Sequence, residues 1–401
     1  MTIEGREIAV AGGGVAGLAA ALALARRGAR VRVFEAAPEL GEVGAGLQLG
    51  PNAVAVIEAL GLRAMAEAAA SRPEAIELRE HREGRPVARL PLGPACEARY
   101  GRPYWHLHRA DLLAVLAEGA AAAGVALRTG ARVAAVEQDD AGVRLTLAGG
   151  EEVAAEAVIG ADGVRSSLRG AHFGGGAARF TGHVAWRGLA PAELLPPGLL
   201  PRAAAVFMGP GRHVVAYPLR GAAVWNVVAV EERRAWAEEG WSTPGDPAEL
   251  RAAFAGWCRP VEALLAAVDA PFLWGLFDHP PLAAWARRRV ALVGDACHPM
   301  LPFLAQGAAM GLEDAWVLAD ALDAAPDPPA GLAAYAARRR ARAERTQRAS
   351  ARNARVYHVA APLRRAALHL GLRAASTLAP GALMGRFDWL YGTDVTQATG
   401  D

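Results

Sequence analysis

Cysteine is scarce in this chain: three among 401 residues. Cys96, Cys258 and Cys297 lie far apart, with no CxxC spacing, so neither a disulfide framework nor a zinc site is expected, and a reducing, cytoplasmic setting fits best. An excess of charge is also missing. Lys and Arg number 43 against 41 for Asp and Glu, a net charge of +2, which gives no electrostatic case for nucleic acid as a partner. Long apolar runs do not persist either. Residues Ile8 to Ala25 carry no charge, but three consecutive glycines divide them and Glu4, Arg6 and Glu7 precede them. Strand, turn and helix is therefore the expected division, with no membrane span and no export signal. At 53% hydrophobic and 21% charged the composition is that of a globular protein, and the length exceeds what one core supports, so interleaved domains are expected.

What is present begins with glycine. EIAVA, Glu7 to Ala11, reads as a buried parallel strand, and Gly12-Gly13-Gly14-Val15-Ala16-Gly17 follows at once, opening an alanine-leucine helix. RVRVF, Arg30 to Phe34, forms the next strand and ends on Glu35. In such a βαβ unit Gly12 permits the tight turn, Gly14 admits a pyrophosphate to the backbone and Gly17 lets helix and strand close up. The amides of Val15 and Ala16 stand at the helix N-terminus, where the dipole favours an anion. Glu35 is placed to accept hydrogen bonds from an adenosine ribose. This unit predicts dinucleotide binding without separating FAD from NAD.

Two further strand ends repeat the logic. AVIGADGVR, Ala157 to Arg165, delivers Asp162 and Gly163 into a turn before Ser166 and Ser167; VALVGDACHPMLPFLAQG, Val290 to Gly307, delivers Gly294 and Asp295 into a loop broken by Pro299, Pro302 and Gly307. A carboxylate at the carboxyl edge of a parallel sheet stands where ligands bind in such folds. Between these motifs, LGEVGAGLQLGPN, Leu40 to Asn52, contains Gln48 in a glycine-rich stretch that lets backbone pass close to a flat ligand. YWHLHR, Tyr104 to Arg109, reads as a strand that places Arg109 at the start of a helix, a natural partner for a phosphate or a flavin.

In order and spacing, GGGVAG, ADGVRS and GDACHPMLPFLAQGAAMGLEDA resemble the three fingerprints of the single-component, class A FAD-dependent aromatic hydroxylases. The resemblance implies FAD as cofactor, NAD(P)H as a transient co-substrate without a second nucleotide-binding fold, and oxygen transfer from a flavin C4a-hydroperoxide to a small aromatic substrate. It also implies that Asp295 binds the flavin ribityl chain, that Asp162 lies near FAD and the nicotinamide donor, and that Arg109 touches the flavin. Pro302 then stiffens a loop against the isoalloxazine. Gly307 lets backbone approach, and the helix beginning near Ala308 turns its positive end toward the flavin.

From Thr181 to Val230 the periodicity is twofold, as in an antiparallel sheet with one face toward the flavin. On HVVAY, His213, Val215 and Tyr217 share a face, so His213 can deprotonate a phenol or pair with a carboxylate, and Tyr217 can orient it. The residues alone leave open that both are ordinary sheet residues. The resemblance favours catalysis, because hydroxybenzoate and hydroxynicotinate hydroxylases carry an active-site histidine on the corresponding strand. Relatives can place a glutamine or histidine near Pro302 and Phe303, where this chain is apolar, so a second polar catalytic group is in doubt. His298 reads as structural, Arg187 as a sheet-edge charge, and His106, His108 and His183 have no ligand-like spacing; no metal is expected. RRRARAERTQR, Arg338 to Arg348, reads as a solvated helix face packing alanines inward, a further helix is expected over His358 to Leu372, and Leu363, Leu368 and Leu372 suit an interface in a homodimer.

The expected architecture is α/β: a Rossmann-like FAD-binding domain over 1–75, 101–178 and 273–322, interleaved with an antiparallel β-sheet substrate domain over 76–100 and 179–272, then a helical C-terminal region over 323–401. The expected function is hydroxylation of a small phenolic acid of the salicylate or hydroxybenzoate type. The rivals are oxygenation of a larger polycyclic or isoprenoid substrate, favoured by a wide apolar pocket, and a non-catalytic FAD-binding protein.

Overall fold

The structure, a computed structural model, describes residues 3–41, 46–236 and 243–397. One six-stranded sheet runs in the order Ala286–Arg287, Val290–Leu292, Ala157–Gly160, Glu7–Ala11, Arg30–Phe34, Ala126–Arg128, parallel throughout except for the short pair at its first edge. Its central strands are buried on both faces, as EIAVA and AVIG dictate, having no polar face to offer water. Helices Val15–Ala25 and Gly307–Ala324 pack against each other beside this sheet. Strand ends carrying the glycine-rich turn and both glycine-aspartate motifs therefore meet at one edge.

Contacts at the glycines show how closely they meet. Gly12 has φ +114°, and a Cβ there would lie 2.3 Å from the Ala161 carbonyl oxygen; a Cβ on Gly17 would lie 2.0 Å from the Gly12 carbonyl oxygen. On Gly294, at φ +59°, a Cβ would lie 2.8 Å from the Cβ of Ala16. The second motif is thus packed onto the first through Gly12, and the third through Gly294.

The second large sheet has eight strands, in the order Thr243–Pro244, Phe272–Asp278, Arg179–Pro191, Val224–Glu232, Arg212–Leu219, Ala204–Gly209, Ala75–Glu80, Pro86–Pro91. All pairings are antiparallel except that of Ala204–Gly209 with Ala75–Glu80. Phe272–Asp278 pairs inside this sheet, which extends it past the boundary expected at 272. Its outer face buries a core containing Trp186, Phe207, Phe254 and Leu264. The inner face turns toward the six-stranded sheet across a cavity.

The C-terminal region departs from expectation in two places. Helix Pro328–Tyr357 is not merely a solvated face, because Arg339 is 1% exposed and ion-paired to Glu313 and Asp314 of helix Gly307–Ala324. Arg342 reaches Glu313 as well. Full pairing is what makes a buried guanidinium tolerable. The next helix begins at Pro362, not at His358, and ends at Leu378, because Pro suits the first helical turn and His358 caps the preceding helix. Along it Leu372 turns inward against Val87, Val206 and Met208, whereas Leu363 and Leu370 stand exposed.

Candidate active site

A cavity of about 800 Å³ separates the two sheets and reaches every one of the glycine-aspartate motifs. On its floor stand Gly12, Gly14, Val15, Ala16, Glu35, Gln48, Arg109, Asp162, Gly294, Asp295, Pro302, Gly307 and Ala308; its roof includes His213, Tyr217 and Arg187. Of the site residues picked from sequence, only Gly17 stays off the wall, since it is spent on packing helix against strand.

The floor is made largely of backbone. Gly14 caps helix Val15–Ala25, and a Cβ added to it would meet no atom within 4 Å, so its bare face opens into the cavity. Glu35 accepts from the amides of Gly13 at 2.6 Å and Ala37 at 2.8 Å, which fixes its carboxylate at the strand end while each oxygen keeps a lone pair for a ligand hydroxyl. Asp162 Oδ2 accepts from Ser167 N and Leu168 N, capping the following turn, but its Oδ1 is buried with no hydrogen-bond partner. Gln306 Nε2 is likewise buried and unpartnered on the same wall. Orphaned polar atoms lining a cavity with a bare helix N-terminus are what a polar, anionic ligand satisfies. The residues present fit a dinucleotide of the FAD kind.

A buried ionic cluster braces this floor. Asp314 accepts from Gly294 N at 3.0 Å, from Arg339 Nε at 2.8 Å and from His298 Nε2, so His298 does hold structure here. Burial alone would raise the Asp314 carboxyl, but His298 and Arg339 hold it down at about 2. Glu313, lowered in the same way against its burial by Arg339 and Arg342, accepts from Asn52 Nδ2 at 2.7 Å. Sequence reading missed this cluster; the visible signal was the acidic pair Glu313-Asp314 on a helix otherwise made of small and apolar residues.

The roof is made of side chains. His213, Val215 and Tyr217 share the cavity face of their strand, and register aligns Arg187, Val228 and Val215 in one row across three strands, with Ala185, Val230 and His213 in the next. Arg187 therefore lies on a central strand facing the cavity, stacked 4.8 Å over Trp274, and is not the sheet-edge charge its sequence context suggested. Burial raises the Tyr217 phenol, with Arg187 and Gln48 pulling the other way. His213 is 2% exposed; burial first, then His358 and His183, depress its protonation well below the ordinary histidine range. Its Nδ1 lies 2.6 Å from Nε2 of His358, whose Nδ1 lies 3.2 Å from Glu232 Oε1. Phe303, apolar as its neighbours, packs on the His213 ring at 5.5 Å.

Among the described residues one group has donors close enough for a metal: His183, Glu232 and His358, within 4.8 Å of one another. Its members already bond to Thr181, to His213 and to each other. His106 and Tyr104 are buried beside the site, with His106 held at about 3 by burial and its ring 4.6 Å from Tyr217. The cavity is closed by Leu372, Leu383, Phe387, Trp389 and Tyr391 of the C-terminal helices, a contribution the sequence did not announce.

Comparison with known proteins supplies the class. The chain matches the family described as FAD binding domain over residues 6–350. It is 41% identical over 353 residues to the 3-amino-4-hydroxybenzoate 2-monooxygenase PtmB3 of Streptomyces platensis, covering 88% of each chain. To the 3-hydroxybenzoate 6-hydroxylase of Polaromonas naphthalenivorans it is 39% identical over 391 residues, covering 97% of this chain and 96% of that one. Among solved structures, a salicylate hydroxylase substrate complex superposes with a TM-score of 0.79 at 29% identity, covering 98% and 96% of the two chains. With its glycine floor, its two-sheet cavity and these relatives, the chain belongs to the FAD-dependent class A aromatic hydroxylases and is a flavoprotein monooxygenase.

Proposed function

We propose that this monooxygenase hydroxylates a small phenolic aromatic acid of the hydroxybenzoate or salicylate type, using NAD(P)H and O2. The observation that carries the reading is the roof: a neutral histidine, a tyrosine and an arginine face the cofactor floor from one sheet face. Arg187 lies two strands and two residues from His213, so one aromatic ring can present its carboxylate to the guanidinium and its phenol to the imidazole.

FAD would be held by the Gly12 to Gly17 turn and the helix N-terminus at its pyrophosphate, by Glu35 at its ribose, and by Gln48, Arg109, Asp162, Asp295 and the segment Pro302 to Ala308 around its remainder. When bound, the flavin supplies electron transfer from NAD(P)H and the activation of dioxygen. The chain's own residues do the rest. His213 takes the phenol proton, which puts negative charge onto the ring and activates it toward an electrophilic oxygen. Tyr217, kept protonated by burial, donates a hydrogen bond that holds the ring in place. Val215, Val228, Phe303 and the C-terminal helices exclude water.

The relatives named above are a monooxygenase of 3-amino-4-hydroxybenzoate and a hydroxylase of 3-hydroxybenzoate, both phenolic benzoates, in line with this class of substrate. The test is a panel of salicylate, hydroxybenzoates and hydroxynicotinates, following NAD(P)H oxidation together with product. The reading predicts accelerated, coupled turnover with at least one acid; oxidation that yields only peroxide contradicts it. A larger polycyclic or isoprenoid substrate is the second reading, favoured by the apolar wall of Leu372, Leu383, Phe387 and Trp389. Three free, buried cysteines fit a cytoplasmic enzyme, and the exposed Leu363 and Leu370 fit a homodimer contact.

A further inference from the structure

We propose that His358 and Glu232 form a relay behind His213 that sets its tautomer and conducts the substrate's proton from the cavity to solvent. The proposal rests on the reading of His213 as the group that takes that proton. Its basis is the order of donors and acceptors along the chain of contacts. The Glu232 carboxylate, whose side chain is 55% exposed, can only accept at 3.2 Å from His358 Nδ1, so His358 carries its hydrogen on Nδ1. His358 Nε2 is then an acceptor, and at 2.6 Å it receives the hydrogen of His213 Nδ1. His213 in turn is left with a lone pair on Nε2, the remaining ring nitrogen of a side chain that lines the cavity. One exposed carboxylate thereby fixes a buried base in its accepting form across two rings.

The same geometry balances a proton transfer. The phenol O–H bond breaks and an N–H bond forms at His213 Nε2; His213 Nδ1 gives up its hydrogen to His358 Nε2; His358 Nδ1 gives up its hydrogen to the Glu232 carboxylate, from which it passes to water. One proton enters at the cavity and one leaves at the surface. Without an outlet, a buried imidazolium would have to persist beside two other histidines, which burial opposes. The titratable groups facing the relay are His183, from the strand paired with that of Glu232, and Tyr357, which burial pushes up to about 12. Neither offers a competing acceptor of the Glu232 kind. Sequence separates the parts widely: His213 and His358 lie 145 residues apart, and the end of helix Pro328–Tyr357 places the second behind the first.

The test uses the FAD-loaded enzyme in weak buffer with phenol red, mixed rapidly with 3-hydroxybenzoate, so that proton release is read apart from turnover. The relay predicts that His358→Gln slows release by at least ~10-fold with FAD affinity unchanged, and that added imidazole restores part of the rate. Glu232→Gln, an exposed change that leaves folding intact, should slow release by ~3-fold or more and enlarge the solvent deuterium isotope effect. Wild-type release rates in both variants overturn the relay alone, provided His213→Ala abolishes release. If His213→Ala also releases protons normally, or the wild-type enzyme binds 3-hydroxybenzoate and releases none, both the relay and the reading of His213 fall.

Discussion

The two walls of the cavity are built on different principles. Its floor is backbone: bare glycine faces, helix-terminal amides and carboxylates pinned at strand ends, held by short stretches of contiguous sequence. Its roof is side chains: Arg187, His213, Tyr217 and the closing residues of the C-terminal helices, brought together by strand order. A floor of this kind serves any ligand with the right phosphate and sugar, whereas a roof of this kind is specific to one ring and its substituents. Cofactor identity therefore rests on local spacing, and substrate choice on long-range register.

That contrast can be broken by substitutions on each side. The largest effect is expected at the floor's brace: Arg339→Met leaves buried Glu313 with Arg342 alone and buried Asp314 with His298 alone and should cost about 3–5 kcal/mol of stability, read as a lower melting temperature with loss of bound flavin. On the roof, His213→Ala should lower coupled hydroxylation ~100-fold while flavin content and NAD(P)H-dependent reduction persist, measured as product per NAD(P)H consumed. Arg187→Gln should raise KM for the aromatic acid ~10-fold and leave the corresponding phenol lacking a carboxylate unaffected. Mild acid acts through the buried histidines instead of through a substitution. His106 at about 3 and His358 at about 4 titrate below an unfolded histidine near 6.5, so the unfolded chain takes up protons first. Stability is then present above about 6.5 and lost progressively as pH falls toward these values, by about 2 kcal/mol per histidine at pH 5. Asp314, held at about 2, contributes with the depressed-carboxylate sign: its stability is present above the unfolded carboxylate value and lost only as pH falls toward 2. Melting curves between pH 7 and 5 should therefore report the histidines, and His106→Asn should flatten them.

How much could be read in advance follows the same division. Gly12 and Gly14 carried their roles in their spacing, because a strand, a φ of +114° and a helix start are all decided within a few residues. Asp162 and Asp295 were legible as strand-end carboxylates for the same reason. Arg187 was misread because its place in the centre of the sheet depends on partners about 40 and 85 residues away, Val228 and Phe272. Arg339 was misread because a basic run looks solvated until the acidic pair on another helix is seen beneath it. His358 gave no signal at all: one histidine at a helix end acquires meaning only from the strand residue it meets, His213.

Three distant segments are expected to bind one FAD molecule. The most direct test is a flavin fluorescence titration of Gly14→Val, Asp162→Asn and Asp295→Asn, one substitution in each segment, with melting temperatures recorded alongside. Each is predicted to weaken FAD by at least ~10-fold while the melting temperature of the flavin-free protein stays that of the wild type. Wild-type affinity in any one of the three would remove that segment from the cofactor site and contradict the claim.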